Sequence, residues 1–170
     1  IRLIHRFTNN ITVIYDGDAA GIKASLRGID LLLEEGMNVK VVSLPESEDP
    51  DSFARKQDAS AFKAYIDANQ SDFIGFKTNL LMEEAGKDPV KRAMLITDIV
   101  KSIAIIPDNI IRSVYVRECS KTLDLEESVL YTEINKINKN KLEKDFNSRR
   151  QAVSELYEAE RRAKAEQHNI

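Results

Sequence analysis

The chain has one cysteine, Cys119, and two histidines, His5 and His168. A single cysteine excludes an internal disulfide and a cysteine zinc cluster. With only two histidines beside it, no ligand set for structural zinc remains. Cys119 is expected to be a small buried or half-buried helix residue. No apolar run approaches the roughly 20 residues that a membrane-spanning helix needs. No signal peptide is visible, and the sequence opens on Ile1, so the expectation is a cytoplasmic protein cut from a longer chain. There is no excess of positive charge either. Lysine and arginine number 25 against 28 acidic residues, a net charge of -3, which argues against a free-standing nucleic-acid clamp. A GxSxG elbow and a glycine-rich phosphate loop are missing, as are internal repeats and low-complexity tracts.

What is present divides in two. The first part alternates strand and helix signals. Ile11–Tyr15 is a short β-branched apolar run that stops at Asp16-Gly17-Asp18. A helix follows from about Ala19, with Ile22, Leu26, Ile29 and Leu33 on one face and Lys23, Arg27, Asp30 and Glu34 on the other. Gly36 ends it. Val39–Leu44 is the next strand, and Asp49-Pro50-Asp51 opens another helix. This order predicts a βαβ unit with parallel strands. Its ligand edge is where the strands' carboxyl ends emerge. Both acidic clusters, Asp16/Asp18 and Asp49/Asp51, fall there.

The second part reads as an amphipathic helical bundle. Its helices are expected at Asp72–Ala85, from Asp88-Pro89, from Pro107 with Ile110, Val114 and Cys119 inside, and at Asp124 to about Asn138. The fold class is thus α/β, a parallel sheet fragment followed by helices. Its parts are 1–70 (metal-binding α/β), 71–138 (helical) and 139–170. The last stretch is polar and mixed in sign, as in a long exposed helix, frayed tail or linker.

The acidic pairs carry the chemistry. Two carboxylates about 5 Å apart repel by about 3 kcal/mol at an effective dielectric near 20, and a cation relieves that cost. All-oxygen ligands select a hard ion, Mg²⁺ before Mn²⁺. The plainer account is capping, with Asp18 before Ala19 and Asp49 before Pro50. Capping leaves Asp16 unexplained, and it does not explain two acidic pairs at one sheet edge. An aspartyl-nucleophile phosphatase also places Asp-x-Asp after a strand, but Ala19-Ala20-Gly21 lacks a hydroxyl to hold phosphate.

The run Tyr15-Asp16-Gly17-Asp18-Ala19-Ala20-Gly21 resembles the Toprim signature of bacterial DNA primases. Leu44-Pro45 and Glu48-Asp49-Pro50-Asp51 with Phe53 resemble that family's next motif. Ile106-Pro107-Asp108 onward, with Tyr115 and Val116, is similar to the helical subdomain that follows Toprim. The resemblance spans about Ile1–Lys139. Ala20 stands where topoisomerase relatives carry Glu, which points away from a Toprim nuclease or topoisomerase. The resemblance implies a DNA-templated RNA polymerase that makes short primers from NTPs on single-stranded DNA. Asp16 and Asp18 would be catalytic metal ligands, with Asp49 and Asp51 as further ligands. The implied reaction is attack of a ribose 3′-hydroxyl on an NTP α-phosphate, a displacement that Mg²⁺ supports. Lys23, Arg27, Arg55 and Lys56 are phosphate-contact candidates, although solvated helix faces are the better account of them. The family's zinc module and basic polymerase subdomain have no counterpart in this sequence, nor does its helicase-binding domain have one unless the charged tail is its approach. Its upstream Glu has none before Asp16. The expectation is weak Mg²⁺ binding without primer synthesis by this chain alone. The competing expectation is a non-catalytic replisome scaffold.

Overall fold

A computed structural model describes residues 1–16, 19–45 and 48–167. Within it the chain forms two compact units, 1–134 and 135–170.

The first unit opens with a short helix α1 (Arg2–His5) and then strand β1 (Asn10–Tyr15). Helix α2 (Ala19–Glu34) crosses over to β2 (Asn38–Ser43), which pairs with β1 in parallel from Asn10↔Asn38 to Tyr15↔Ser43. Ile22, Leu26, Ile29 and Leu33 are all buried, so the predicted face of α2 is the one packed inward. Each such side chain contributes roughly 1.5–3 kcal/mol by leaving water. Gly36, at φ +77°, ends α2 in a left-handed turn. There Gly36 N–H donates to Leu33 O (2.9 Å) and Met37 N–H to Leu32 O (3.1 Å), which satisfies the helix's last carbonyls.

The sheet is mixed, not purely parallel. Strand β3 (Ser71–Asp72) pairs antiparallel with β2, Val41↔Ser71 and Lys40↔Asp72, giving the order β1-β2-β3. Two residues carry no periodicity, so sequence reading has nothing to detect. Asp72 also caps helix α5 (Phe73–Ala85), accepting from Gly75 N–H at 2.7 Å. A Cβ on Gly75 would stand 2.7 Å from the Asp72 carboxylate, so a side chain there would make this cap shift.

Between β2 and β3 lie α3 (Pro50–Arg55) and α4 (Ala59–Asn69), the second capped by Asp58 on Ala61 N–H at 2.7 Å. Helices α6 (Pro89–Ala104) and α7 (Asn109–Leu123) follow, capped by Asp88 and Asp108. Two details depart from expectation. Ile110 and Val114 are exposed (77% and 56%), while Cys119 is buried. Asp124 does not start a helix. It ends α7 at φ 54°, with Leu125 N–H donating to Ser120 O, because aspartate tolerates the left-handed region better than most side chains.

Helix α8 (Glu127–Gln167) begins in the first unit, where Leu130 and Ile134 are buried. Its residues from 135 onward form the second unit. No helix among the described residues is long and apolar enough to cross a membrane.

Candidate functional site

Strands β1 and β2 end together. Tyr15 faces Ser43, and Leu44 N–H donates to Tyr15 O at 3.0 Å, extending the ladder one step past the strands. Asp16 leaves the first tip directly and is exposed. Its position is anchored from behind. Tyr15 is buried, with its ring parallel to Phe76 of α5 at 6.2 Å. Burial pushes the Tyr15 hydroxyl pKa up, and the nearby Ser25 side chain opposes that rise. An open cleft of about 570 Å³ runs beside β1 to Asp16, with Ile22 and Ser25 of α2 on its wall. Asp18 lies outside the described residues.

The chain leaving β2 reaches Asp49 after Pro45. Asp49 is the N-cap of α3. One oxygen accepts from Ser52 N–H at 2.7 Å, and Asp49 N–H donates back to Ser52 Oγ at 3.2 Å. This reciprocal box is the capping role that its place before Pro50 suggested. Asp51, two residues on, is held differently. Both its oxygens meet the Arg55 guanidinium, at 3.2 Å to Nε and 3.0 Å to Nη2, in a pair that is mostly exposed. Residues two apart on a helix do not face the same way. The structure therefore brings the two strand tips together, but among the described residues Asp16, Asp49 and Asp51 are not gathered into one group. Among the described residues, no three of His, Cys, Asp or Glu lie close enough to hold a metal. Asp16 has the chemistry of a hard-ion ligand at a strand tip. Asp49 has one oxygen committed, and Asp51 has both.

Glu48, part of the second acidic motif, has a role the motif does not reveal. It accepts from Ser52 Oγ at 2.7 Å and pairs with Lys56. The Lys56 ammonium, then the Ser52 hydroxyl, hold its carboxyl below the usual range. Glu48 precedes the cap of α3 and Lys56 follows its last turn, so helical spacing gives no signal for this pair. Of the phosphate-contact candidates, Lys23 pairs with Glu84 at 2.7 Å, while Arg55 and Lys56 are tied to Asp51 and Glu48.

A second polar cluster was invisible to sequence reading. Lys77 of α5 is buried, its side chain 8% exposed. It donates to Ser102 Oγ of α6 at 2.6 Å, and Ser102 in turn donates to Asp30 Oδ1 of α2 at 2.6 Å. Lys77 Nζ is 3.7 Å from Asp30 Oδ2. Burial pushes the Lys77 ammonium pKa down, and Asp30 and Asp98 oppose that shift. Asp30, assigned by periodicity to the solvent face of α2, is thus the anchor that joins the α/β layer to the helices.

Comparison with known proteins bears on the same segments. A family model described as Toprim-like matches residues 1–54. A DNA primase of Clostridium acetobutylicum is 30% identical over 131 residues, 76% of this chain and 22% of that protein. The crystal structure of a DNA primase domain from Pseudomonas aeruginosa superposes with a TM-score of 0.66 at 28% identity, covering 79% of this chain and 43% of that one. A structure of the DnaG primase catalytic domain bound to ssDNA superposes at 0.60 with 30% identity, covering 71% and 40%. The chain therefore spans about a fifth of the length of the curated relative quoted. The Toprim-like strands, the helices after them and the sequence likeness along three quarters of its length agree, and the chain is a fragment belonging to the bacterial DNA primase family.

Proposed function

We propose that this chain is the metal-binding core of a DNA-templated RNA polymerase that makes short RNA primers for DNA replication. The observation that carries the reading is the junction of β1 and β2, whose paired tips deliver Asp16 and the Asp49 loop to one edge of the sheet within the Toprim-like match. Asp16 and Asp18 would hold a divalent cation, Mg²⁺ or Mn²⁺, which when bound supplies charge neutralisation at the phosphates of an incoming NTP. Asp49 would orient the loop through its cap and offer its free oxygen. Asp51 is the weakest candidate, because Arg55 occupies it. Residues 1–70 would form the metal-binding part, 71–138 its helical support and 139–170 the connection onward. The template would be single-stranded DNA, as in the complex of the similar catalytic domain. NTPs, the growing primer and a replicative helicase, the last through a region this sequence lacks, complete the expected partners in the cytoplasm.

A nucleotidyl transfer needs more than this piece carries. The net charge of -3 provides no basic channel for a nucleic-acid backbone. The isolated chain is expected to bind Mg²⁺ weakly and to make no primer. Mg²⁺ titration followed by NMR tests the reading. Shifts centred on Asp16 and Asp18 at millimolar metal, lost in Asp16→Asn, are expected. An unchanged spectrum, or shifts that survive Asp16→Asn and Asp18→Asn together, would refute the metal site.

A further inference from the structure

The second unit carries an apolar stripe that nothing in that unit covers. Leu142, Phe146, Val153, Leu156 and Tyr157 are each at least half exposed. At about 100° per residue they fall on one face of α8, together with Arg149 and Glu160. Positions 142, 146, 149, 153, 156, 160 and 163 alternate steps of four and three. That is the 3.5-residue period at which two helices wind around each other.

We propose that this stripe is a self-association surface, on which two copies of the chain pair their α8 helices antiparallel over residues 146–163. Charge decides the orientation. In a parallel pair every seam residue meets its own copy, so Arg149 would face Arg149 and Glu160 would face Glu160. Like charges brought together in this way are strongly disfavoured. Running the helices in opposite directions, with Arg149 facing Glu160 of the other copy, turns both clashes into attractive pairs. The same register sets Val153 against Leu156. It also sets bulky Phe146 against small Ala163, the large-to-small match that seams need. Among the described flanking positions, Glu143 comes beside Lys164 and Arg150 beside the ring of Tyr157. Ala152 falls beside Ala159, where two small residues allow close approach. The register set by a single charged pair thus also suits the apolar seam and the Glu143/Lys164 flank, while Asp145 falls beside Glu166 at the seam's end. A solvated helix, or one shaped for a different protein, has no reason to complement its own reverse.

The seam is only about three heptads long, near the lower limit for a stable pair, so the association is weak. Sedimentation of the full chain from about 10 μM to 1 mM, a range that spans weak affinities, should show a monomer–dimer equilibrium. Arg149→Glu alone and Glu160→Arg alone should each weaken dimerisation about tenfold or more, and the double reversal should restore it. Both positions are exposed, so these variants keep the fold. Disulfide trapping gives the orientation: a chain with Ala152→Cys should cross-link to a chain with Ala159→Cys in preference to itself. A monomer at every concentration, a double reversal as weak as the singles, or preferential cross-linking of Ala152→Cys to itself would each overturn the proposal.

Discussion

Replacing Asp30 by asparagine is expected to cost more stability than any other single exposed or half-exposed charge change in the first unit. The side chain keeps its shape and can still accept from Ser102 Oγ, now 2.6 Å from Oδ1. What disappears is the counter-charge 3.7 Å from Lys77 Nζ. Removing one partner of a fully buried pair costs about 3–5 kcal/mol, because the other charge stays uncompensated. The Asp30 side chain is 27% exposed and Asp98 lies in the same field, so a value below that range applies, about 2–3 kcal/mol. For a unit of this size that is a fall of roughly 5–10 °C in Tm. The sign with pH follows from Lys77. Its folded value is below the ordinary lysine value, so the unfolded chain binds the extra proton. Stability must then rise with pH between the folded and unfolded lysine values. Loss of Asp30 lowers the folded value further and starts that rise at lower pH. Calorimetry of wild type and Asp30→Asn from neutral pH to pH 10, with Lys77→Met as a third chain, measures both effects. A Tm change under about 2 °C at neutral pH, or a deficit that grows toward high pH, would refute the reasoning.

Other expectations are simpler. Phe53 is buried and meets Tyr65 of α4 at 4.7 Å between ring centroids, so Phe53→Ala should cost about 3–4 kcal/mol in urea unfolding and loosen the Asp49 loop; an unchanged midpoint would show that this contact holds nothing. Glu48 has its carboxyl pKa lowered by Lys56 and Ser52, so the stability it adds is present above the usual glutamate range and is lost as acid brings the pH down through its folded value. Glu48→Gln should therefore flatten the acid side of the stability profile, and identical acid limbs would argue against it. Burial raises the Cys119 thiol pKa, with Thr78 opposing, so a thiol reagent at pH 7 should label it only as fast as the unit opens. Rapid labelling of the native chain would contradict that.

The order of elements around the sheet was readable from residues alone. Ile11–Tyr15 and Val39–Leu44 are β-branched runs, and Ile22, Leu26, Ile29 and Leu33 repeat at helical spacing, so both strands and the helix between them follow from local patterning. Helix starts were legible at Asp49, Asp72 and Asp88, because a cap is a local hydrogen bond; Asp58 before α4 went unread, and the helix expected from Pro107 is capped by Asp108. Tertiary structure decided the remainder. A two-residue strand at Ser71–Asp72 exists only because β2 offers it an edge. Asp30 and Lys77 look like solvent-facing charges until Ser102, from a third helix, closes the network. At the candidate site the sequence supplied carboxylates of the right type at one sheet edge. Only the fold could assign Asp49 to Ser52 and Asp51 to Arg55. Local periodicity encodes which face of an element is apolar. Partners distant in the chain depend on how the layers meet, and no single segment carries that information.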